Sequence, residues 1–184
     1  MDKVANSKND EFYTPKYAVK PIFKYIPKDK IVWCPFDTQN SNFVKMLKSN
    51  GNTVVKMLKS NGNTVIATHI SFGYDFFEYS PKKYDYIVSN PPYSVKGAVL
   101  QRLFDLGKPF AMLIGVVGLF ESQKRFEMFR DNDFEIMYLN RRVAYLKESY
   151  DVKPSLNPPF SSVYLCKNML PKQIMFEDII KKEL

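Results

Sequence analysis

Short apolar runs that stop abruptly at a proline or glycine constrain this chain more than any other feature. Ile31-Val32-Trp33-Cys34 ends at Pro35, and Tyr84-Asp85-Tyr86-Ile87-Val88-Ser89 is halted by Pro91-Pro92. Phe110-Ala111-Met112-Leu113-Ile114 is bounded by Pro109 and Gly115. Runs this short, rich in β-branched and aromatic residues, read as buried strands, because proline gives up the ladder donor and ends the pairing. Between them lie segments with apolar residues at helical spacing: 11–27, 96–106 closed by Gly107, and 121–130. Further strands are predicted over 134–139 and 162–166, the second followed by a polar C-terminal tail. Strands apolar on both faces, alternating with helices, predict an α/β fold: a mostly parallel sheet flanked by helices. In such sheets ligands sit outside the carboxyl ends of the strands, so chemistry is sought in the residues just after each strand.

One segment departs from this pattern. Residues 44–54 read VKMLKSNGNTV, and residues 55–65 read VKMLKSNGNTV again. Two identical copies with no third are no solenoid, which needs about three stacked units to bury a core. With one copy removed, the passage is a short helix with Ser41 as cap and Gly51 as stop, then a strand running into Ile66-Ala67-Thr68. The extra copy is close to three helical turns long. It could extend the helix, form a second short helix or bulge out as a loop, and is expected to be tolerated rather than functional. The 184 residues are expected to form a single domain over 1–184, with the duplication 44–54/55–65 inside it.

Composition excludes several classes. With 45% apolar and 25% charged residues the chain is not broadly disordered. No apolar run approaches the roughly 20 residues a membrane span needs, and the polar N-terminus carries no secretory signal. Two cysteines and one histidine argue against a disulfide framework and a zinc site, so no metal is expected. A cytoplasmic location is expected. Lys+Arg 27 against Asp+Glu 19 leaves a charge of +8, which attracts polyanions such as nucleic acid. The same balance is common in lysine-rich soluble proteins of other kinds. The sequence does not fix the oligomeric state.

After the strand at 84–89 comes Asn90-Pro91-Pro92-Tyr93. The paired prolines stiffen the turn, aiming the Asn90 amide and the adjoining carbonyls at the crevice, with an aromatic ring beside them. Two acceptors and a stacking ring are what an enzyme needs to hold a planar exocyclic amine. Asn157-Pro158-Pro159-Phe160 fits the same pattern, but it precedes a strand and reads as a stiff turn within a substrate-facing loop over 145–161. Lys96, Lys124, Arg125, Arg141 and Arg142 are candidates for phosphate contacts, and Tyr145 and Tyr150 for stacking on flanking bases, each with a solvated surface role as the alternative. Cys34 reads as a small buried hydrophobe.

At these residues the chain resembles the S-adenosylmethionine-dependent DNA adenine-N6 methyltransferases, in particular small phage-encoded ones. The resemblance runs through Asn9-Asp10-Glu11-Phe12-Tyr13-Thr14-Pro15, Cys34-Pro35-Phe36-Asp37, Gly73-Tyr74-Asp75-Phe76-Phe77, the tetrapeptide, and Lys108-Pro109-Phe110-Ala111-Met112-Leu113. It covers roughly 9–167 and implies a Rossmann-like methyltransferase fold with S-adenosylmethionine as cofactor and DNA as partner. By that resemblance Asn90, Pro91, Pro92 and Tyr93 are catalytic. Tyr13, Thr14 and Pro15 would touch the methionine end of the cofactor, and Pro35 and Phe36 would cover its body. Asp75 and Phe76 would hold its adenine, Asp75 accepting from the amine. Two departures stand out. The turn after the first strand has no glycine, and Cys34 stands where an acid often precedes Pro-Phe, with Asp37 as the nearby substitute. His69 stands where an acid usually grips the ribose and could hydrogen-bond it.

Three functions are carried forward. The first is methyl transfer to N6 of adenine in DNA. The second keeps the reaction but moves it to adenine in RNA or glutamine in protein, since each presents a planar NH2 group. The third is a methyltransferase-like binding module without catalysis.

Overall fold

The computed structural model describes residues 13–49, 53–54, 66–147 and 157–180. Its elements run in the order α1 (Lys16–Phe23), β1 (Ile31–Cys34), α2 (Asn42–Ser49), β2 (Thr53–Val54), β3 (Ile66–Ala67), β4 (Tyr86–Ser89), α3 (Lys96–Leu106), β5 (Phe110–Gly115), α4 (Gln123–Arg130), β6 (Glu135–Leu139), β7 (Ser162–Lys167) and β8 (Ile174–Glu177). Short 3-10 turns at Ile70–Phe72 and Tyr93–Val95 complete it.

The strands form one sheet in the order β2-β1-β4-β5-β7-β6-β8, with β3 also paired to β1. Among the described residues, five of the seven pairings are parallel, and β7 runs antiparallel to both β5 and β6. This is the mostly parallel, helix-flanked α/β sheet the apolar runs predict. Val32, Trp33, Cys34, Ile87, Val88 and all of Phe110–Gly115 are buried, as strands covered on both faces must be. Two clusters fill the two faces. One gathers α1 and α2 around Tyr17, Phe43 and Tyr164; the other gathers α3 and α4 around Trp33, Leu103 and Phe110.

The duplication meets the sheet in a definite place. Thr53 and Val54 pair with Ile31 and Val32, while Ile66 and Ala67 pair with Trp33 and Cys34. β2 and β3 therefore occupy successive positions along one lane beside β1, although eleven residues separate them in sequence. The helix ends at Ser49, so within the described residues the extra copy does not prolong it. The remainder of the repeat, with Gly51, lies outside the described residues.

Three expectations need adjusting. The N-terminal helix is shorter than 11–27: it starts after Pro15, and Tyr25 and Ile26 close it with tight bonds to the carbonyls of Ile22 (3.1 Å) and Phe23 (3.0 Å). The strand expected over 84–89 begins at Tyr86, because the Asp85 carboxylate turns back to accept the Ile31 N–H at 2.8 Å. The stretch predicted as a polar tail contains β8, paired parallel to β6. Its apolar residues Ile174 and Phe176 face outward, 54% and 77% exposed, so its pattern carries no core signal. Among the described residues no helix is long and apolar enough to cross a membrane.

Candidate active site

The carboxyl ends of β1, β3, β4 and β5 lie along one edge of the sheet, because these strands pair in parallel. Three of the segments singled out in the sequence follow one of them. After β1 come Pro35, Phe36 and Asp37; after β3, Thr68 and His69; after β4, Asn90 to Tyr93.

Ser89, the last residue of β4, joins two of these loops. Its hydroxyl accepts the Phe36 N–H at 3.3 Å and donates to the Asp37 carboxylate in a short, buried bond. The loop after β1 is thereby fastened to the residue immediately before the tetrapeptide. Asp37 is only 8% exposed. Burial pushes its carboxyl up to about 6, against the opposing hydrogen bonds from Ser89 and Ser41. The Ser41 Oγ also accepts the Val44 N–H at 3.2 Å, capping α2 as the sequence predicts. Sequence reasoning placed Asp37 toward a cofactor; the structure directs one of its oxygens inward, onto Ser89.

Tyr93 is held from the other side. Its hydroxyl donates to the Tyr145 hydroxyl at 2.7 Å, which is 2.7 Å from the Ser162 Oγ at the start of β7. The Phe160 ring meets the Tyr93 ring edge-on at 5.2 Å. Tyr145 is completely buried, so it is not available to stack on a base and serves as a brace instead. Burial pushes its phenol well above the usual tyrosine range. The second tetrapeptide, read as a turn, thus brings its aromatic residue against the first. Gly115 makes room for this: a Cβ there would lie 2.9 Å from the Phe160 ring. Tyr150, the other stacking candidate, lies outside the described residues.

The N-terminal segment reaches the same edge. Tyr13 and Leu146 exchange backbone hydrogen bonds at 3.3 and 2.8 Å, and Tyr17 Oη donates to the Ala144 carbonyl at 2.9 Å. Asn42 Nδ2 donates to the Thr14 carbonyl at 2.9 Å. Thr14 and Pro15 are buried, and the Thr14 Oγ1 has no hydrogen-bond partner among the described residues. A buried hydroxyl in that state costs free energy that a polar ligand would recover. The donor set therefore suits the polar end of a cofactor.

Toward β3, the buried Phe76 ring packs on Phe36 (4.9 Å) and Trp33 (5.5 Å). Asp75 Oδ1 accepts the Phe77 N–H at 2.8 Å, which fixes the carboxylate in a turn beside Phe76. His69 caps the following 3-10 turn, its Nδ1 accepting the Ser71 N–H at 3.2 Å. Phe36 and Asp37 thus link the Phe76 ring on one side to Ser89, the residue before the tetrapeptide, on the other. Among the described residues no group of three or more His, Cys, Asp or Glu could hold a metal. Cys34 is fully buried, and burial pushes its thiol well above the usual range. Lys96 donates to the carbonyls of Gly115 (3.4 Å) and Val117, so it ties α3 to the loop after β5.

Sequence reasoning missed the Ser89 clasp, the Tyr145 brace and the contact between the two tetrapeptides. The signal for the last was present, since the motif occurs twice. What the sequence lacked was the direction of β7.

No family model matches the sequence, and no curated protein matches it. Among solved structures, the fold is similar to that of a modification subunit of a putative type I restriction enzyme from Vibrio vulnificus YJ016. The TM-score is 0.57 at 12% identity, covering 97% of this chain and 49% of that one. It is also similar to the type I restriction-modification system methyltransferase subunit from Streptococcus thermophilus, with a TM-score of 0.51 at 13% identity, covering 94% of this chain and 48% of that one. The chain spans about half the length of each. At these identities the likeness is one of fold: the sheet and its flanking helices have the Rossmann-like arrangement of methyltransferase subunits.

Proposed function

We propose that the chain is a methyltransferase that transfers the methyl group of S-adenosylmethionine to N6 of adenine in DNA. One observation carries this reading. Asn90-Pro91-Pro92-Tyr93 leaves the carboxyl end of β4 directly after Ser89, which is bonded to the loop after β1, and has its aromatic ring braced by Tyr145 and Phe160. The fold likeness to methyltransferase subunits supports it, as does the +8 charge.

Thr14 and its neighbours Tyr13 and Pro15, with Pro35, Phe36, Asp75 and Phe76, would hold the cofactor, and His69 would reach its ribose. When bound, S-adenosylmethionine supplies an electrophilic methyl group. The work of the protein is to present a weak nucleophile to it. The Asn90 side-chain oxygen and the Pro91 carbonyl accept the two hydrogens of the adenine amine, drawing its lone pair out of the ring. Tyr93 stacks on the base and offsets part of the few kcal/mol spent in extruding it from a duplex. Asp37 acts through its bond to Ser89, holding the two loops in register. Orientation and acceptor bonds of this kind supply the rate; no base removes an amine proton beforehand, and the surplus proton would pass to solvent once the nitrogen carries the methyl group.

Titration calorimetry with S-adenosylmethionine tests the reading first. Binding is expected, and absence of binding would leave a fold that serves only as a binding module. Parallel transfer assays on DNA, RNA and a glutamine peptide then separate the substrates, with DNA expected to accept the methyl group.

A further inference from the structure

A pocket of about 480 Å³ opens beyond the end of β6, lined by Asn140, Arg141 and Arg142 on one wall and Asn157 and Pro158 on the other. No part of the proposed reaction uses it. Its first wall is fixed from behind. The Asn140 N–H donates to the Glu177 carbonyl (3.0 Å), its Nδ2 to Asp178 (2.7 Å), and its Oδ1 accepts the Ile179 N–H (3.0 Å). The strand missed in the sequence thus sets the position of the two arginines that follow. Both are exposed, and neither guanidinium has a partner among the described residues. A guanidinium is charged at every relevant pH and presents a rigid fork of donors suited to phosphate oxygens. Among the described residues, the lining of the pocket holds two such forks, two amides and no carboxylate.

The pocket is also tied to the tetrapeptide. Three residues beyond Arg142 is Tyr145, whose hydroxyl binds that of Tyr93; three residues beyond Asn157 is Phe160, whose ring rests on Tyr93. Three residues span at most about 11 Å. Both walls of the pocket therefore lead to the same ring within one short stretch of chain.

We infer that this pocket holds a backbone phosphate of the strand carrying the target base, one or two linkages from the base stacked on Tyr93. The inference rests on the nucleic-acid reading of the site and adds where the strand is gripped. Such a contact fixes the register of the strand and carries no sequence information.

The test is fluorescence anisotropy with a labelled single-stranded deoxyoligonucleotide containing one adenine. A matched set replaces each phosphodiester in turn with a neutral methylphosphonate. The wild-type chain is expected to lose about tenfold in affinity when the linkages beside the adenine are neutral, and little elsewhere. The Arg141→Ala/Arg142→Ala variant is expected to bind the unmodified strand about tenfold more weakly, to lose about 0.7 from its salt slope, and to ignore the neutral linkages. Both arginines are exposed, so its melting temperature should match the wild type. If it does not, the linkage scan on the wild-type chain decides alone. A flat scan, a variant that keeps the wild-type profile, or no binding by the wild-type chain would each overturn the inference. Failure to methylate adenine with the profile intact would count against the reaction and leave the pocket standing; methylation with a flat profile would do the reverse.

Discussion

The two tetrapeptides carry nearly the same chemistry and have opposite relations to the sheet. Asn90-Pro91-Pro92-Tyr93 follows β4, which runs toward the ligand edge, whereas Asn157-Pro158-Pro159-Phe160 precedes β7, which runs away from it. Because β7 is antiparallel to β5, with Ser162 opposite Gly115, its beginning lies where the ends of β4 and β5 lie. Both motifs therefore arrive at one edge, and their rings touch. Their support differs. Asn90 has the Ser89 clasp at its back and is partly covered, while Asn157 is exposed on the wall of a basic pocket. An acceptor needs a fixed position to orient an amine, and burial against a clasp provides it. Under the proposed function, the first motif would orient the base and the second would contact the strand.

The sharpest way to break this comparison is to exchange the losses. Asn90→Ala is expected to lower kcat for methyl transfer by at least about a hundredfold, the scale of a lost preorganised hydrogen-bonding group, while cofactor binding stays near wild type. Asn157→Ala is expected to raise the KM for the oligonucleotide severalfold with kcat little changed. Steady-state kinetics of the two variants checks both, and the reverse pattern would mean that the second motif is the catalytic one.

The clasp itself makes a pH prediction. With its carboxyl raised from the ordinary 3.8 to about 6, Asp37 holds its proton more tightly in the folded chain than in the unfolded one. Its contribution to stability is therefore complete below about pH 4, falls between about pH 4 and 6, and stays low above that. A shift of this size corresponds to roughly 3 kcal/mol. Asp37→Asn should flatten the fall and, near pH 7, raise stability by up to that amount, as read from urea midpoints at pH 4 and pH 7. The same variant should slow transfer if the clasp positions Asn90, which a purely structural role for Asp37 would not require.

A smaller effect is expected where the motifs meet. Gly115→Ala drives a methyl group into the Phe160 ring, and overpacking of this kind costs about 1–3 kcal/mol. Thermal melts should show the loss, and Phe160→Leu in the same chain should restore part of it. Smallest is Tyr93→Phe, which deletes one hydroxyl and spares the ring. About 1 kcal/mol of stability should go with the bond to Tyr145, and most of the activity should remain.

The first half of this arrangement was legible in the sequence because it is local. Pro35, Pro91 and Pro92 announce the strand ends, Gly107 closes α3 at a φ of 64°, and Ser41 caps α2. Parallel β1, β4 and β5 follow from their apolar runs. The remainder depends on contacts distant in sequence. Nothing in Ser162–Lys167 states its direction, and that direction alone brings Phe160 to Tyr93. Ser89 reads as an ordinary strand residue until Asp37, 52 positions away, is placed beside it. β8 escapes notice because only Met175 of its apolar residues packs toward the core, while Ile174 and Phe176 face outward. The duplication was plain in the letters, yet its meeting with the lane beside β1 appears only in the register.

The central claim is that Asn90 and Tyr93 present the amine of adenine for methylation. It is tested most directly by incubating the chain with a single-stranded oligonucleotide and trideuteromethyl-labelled S-adenosylmethionine, then digesting the strand and analysing its nucleosides by mass spectrometry. The account predicts label on N6-methyldeoxyadenosine from the wild-type chain and its loss in Asn90→Ala. Label on another base, or on N6 at wild-type levels in Asn90→Ala, would contradict it.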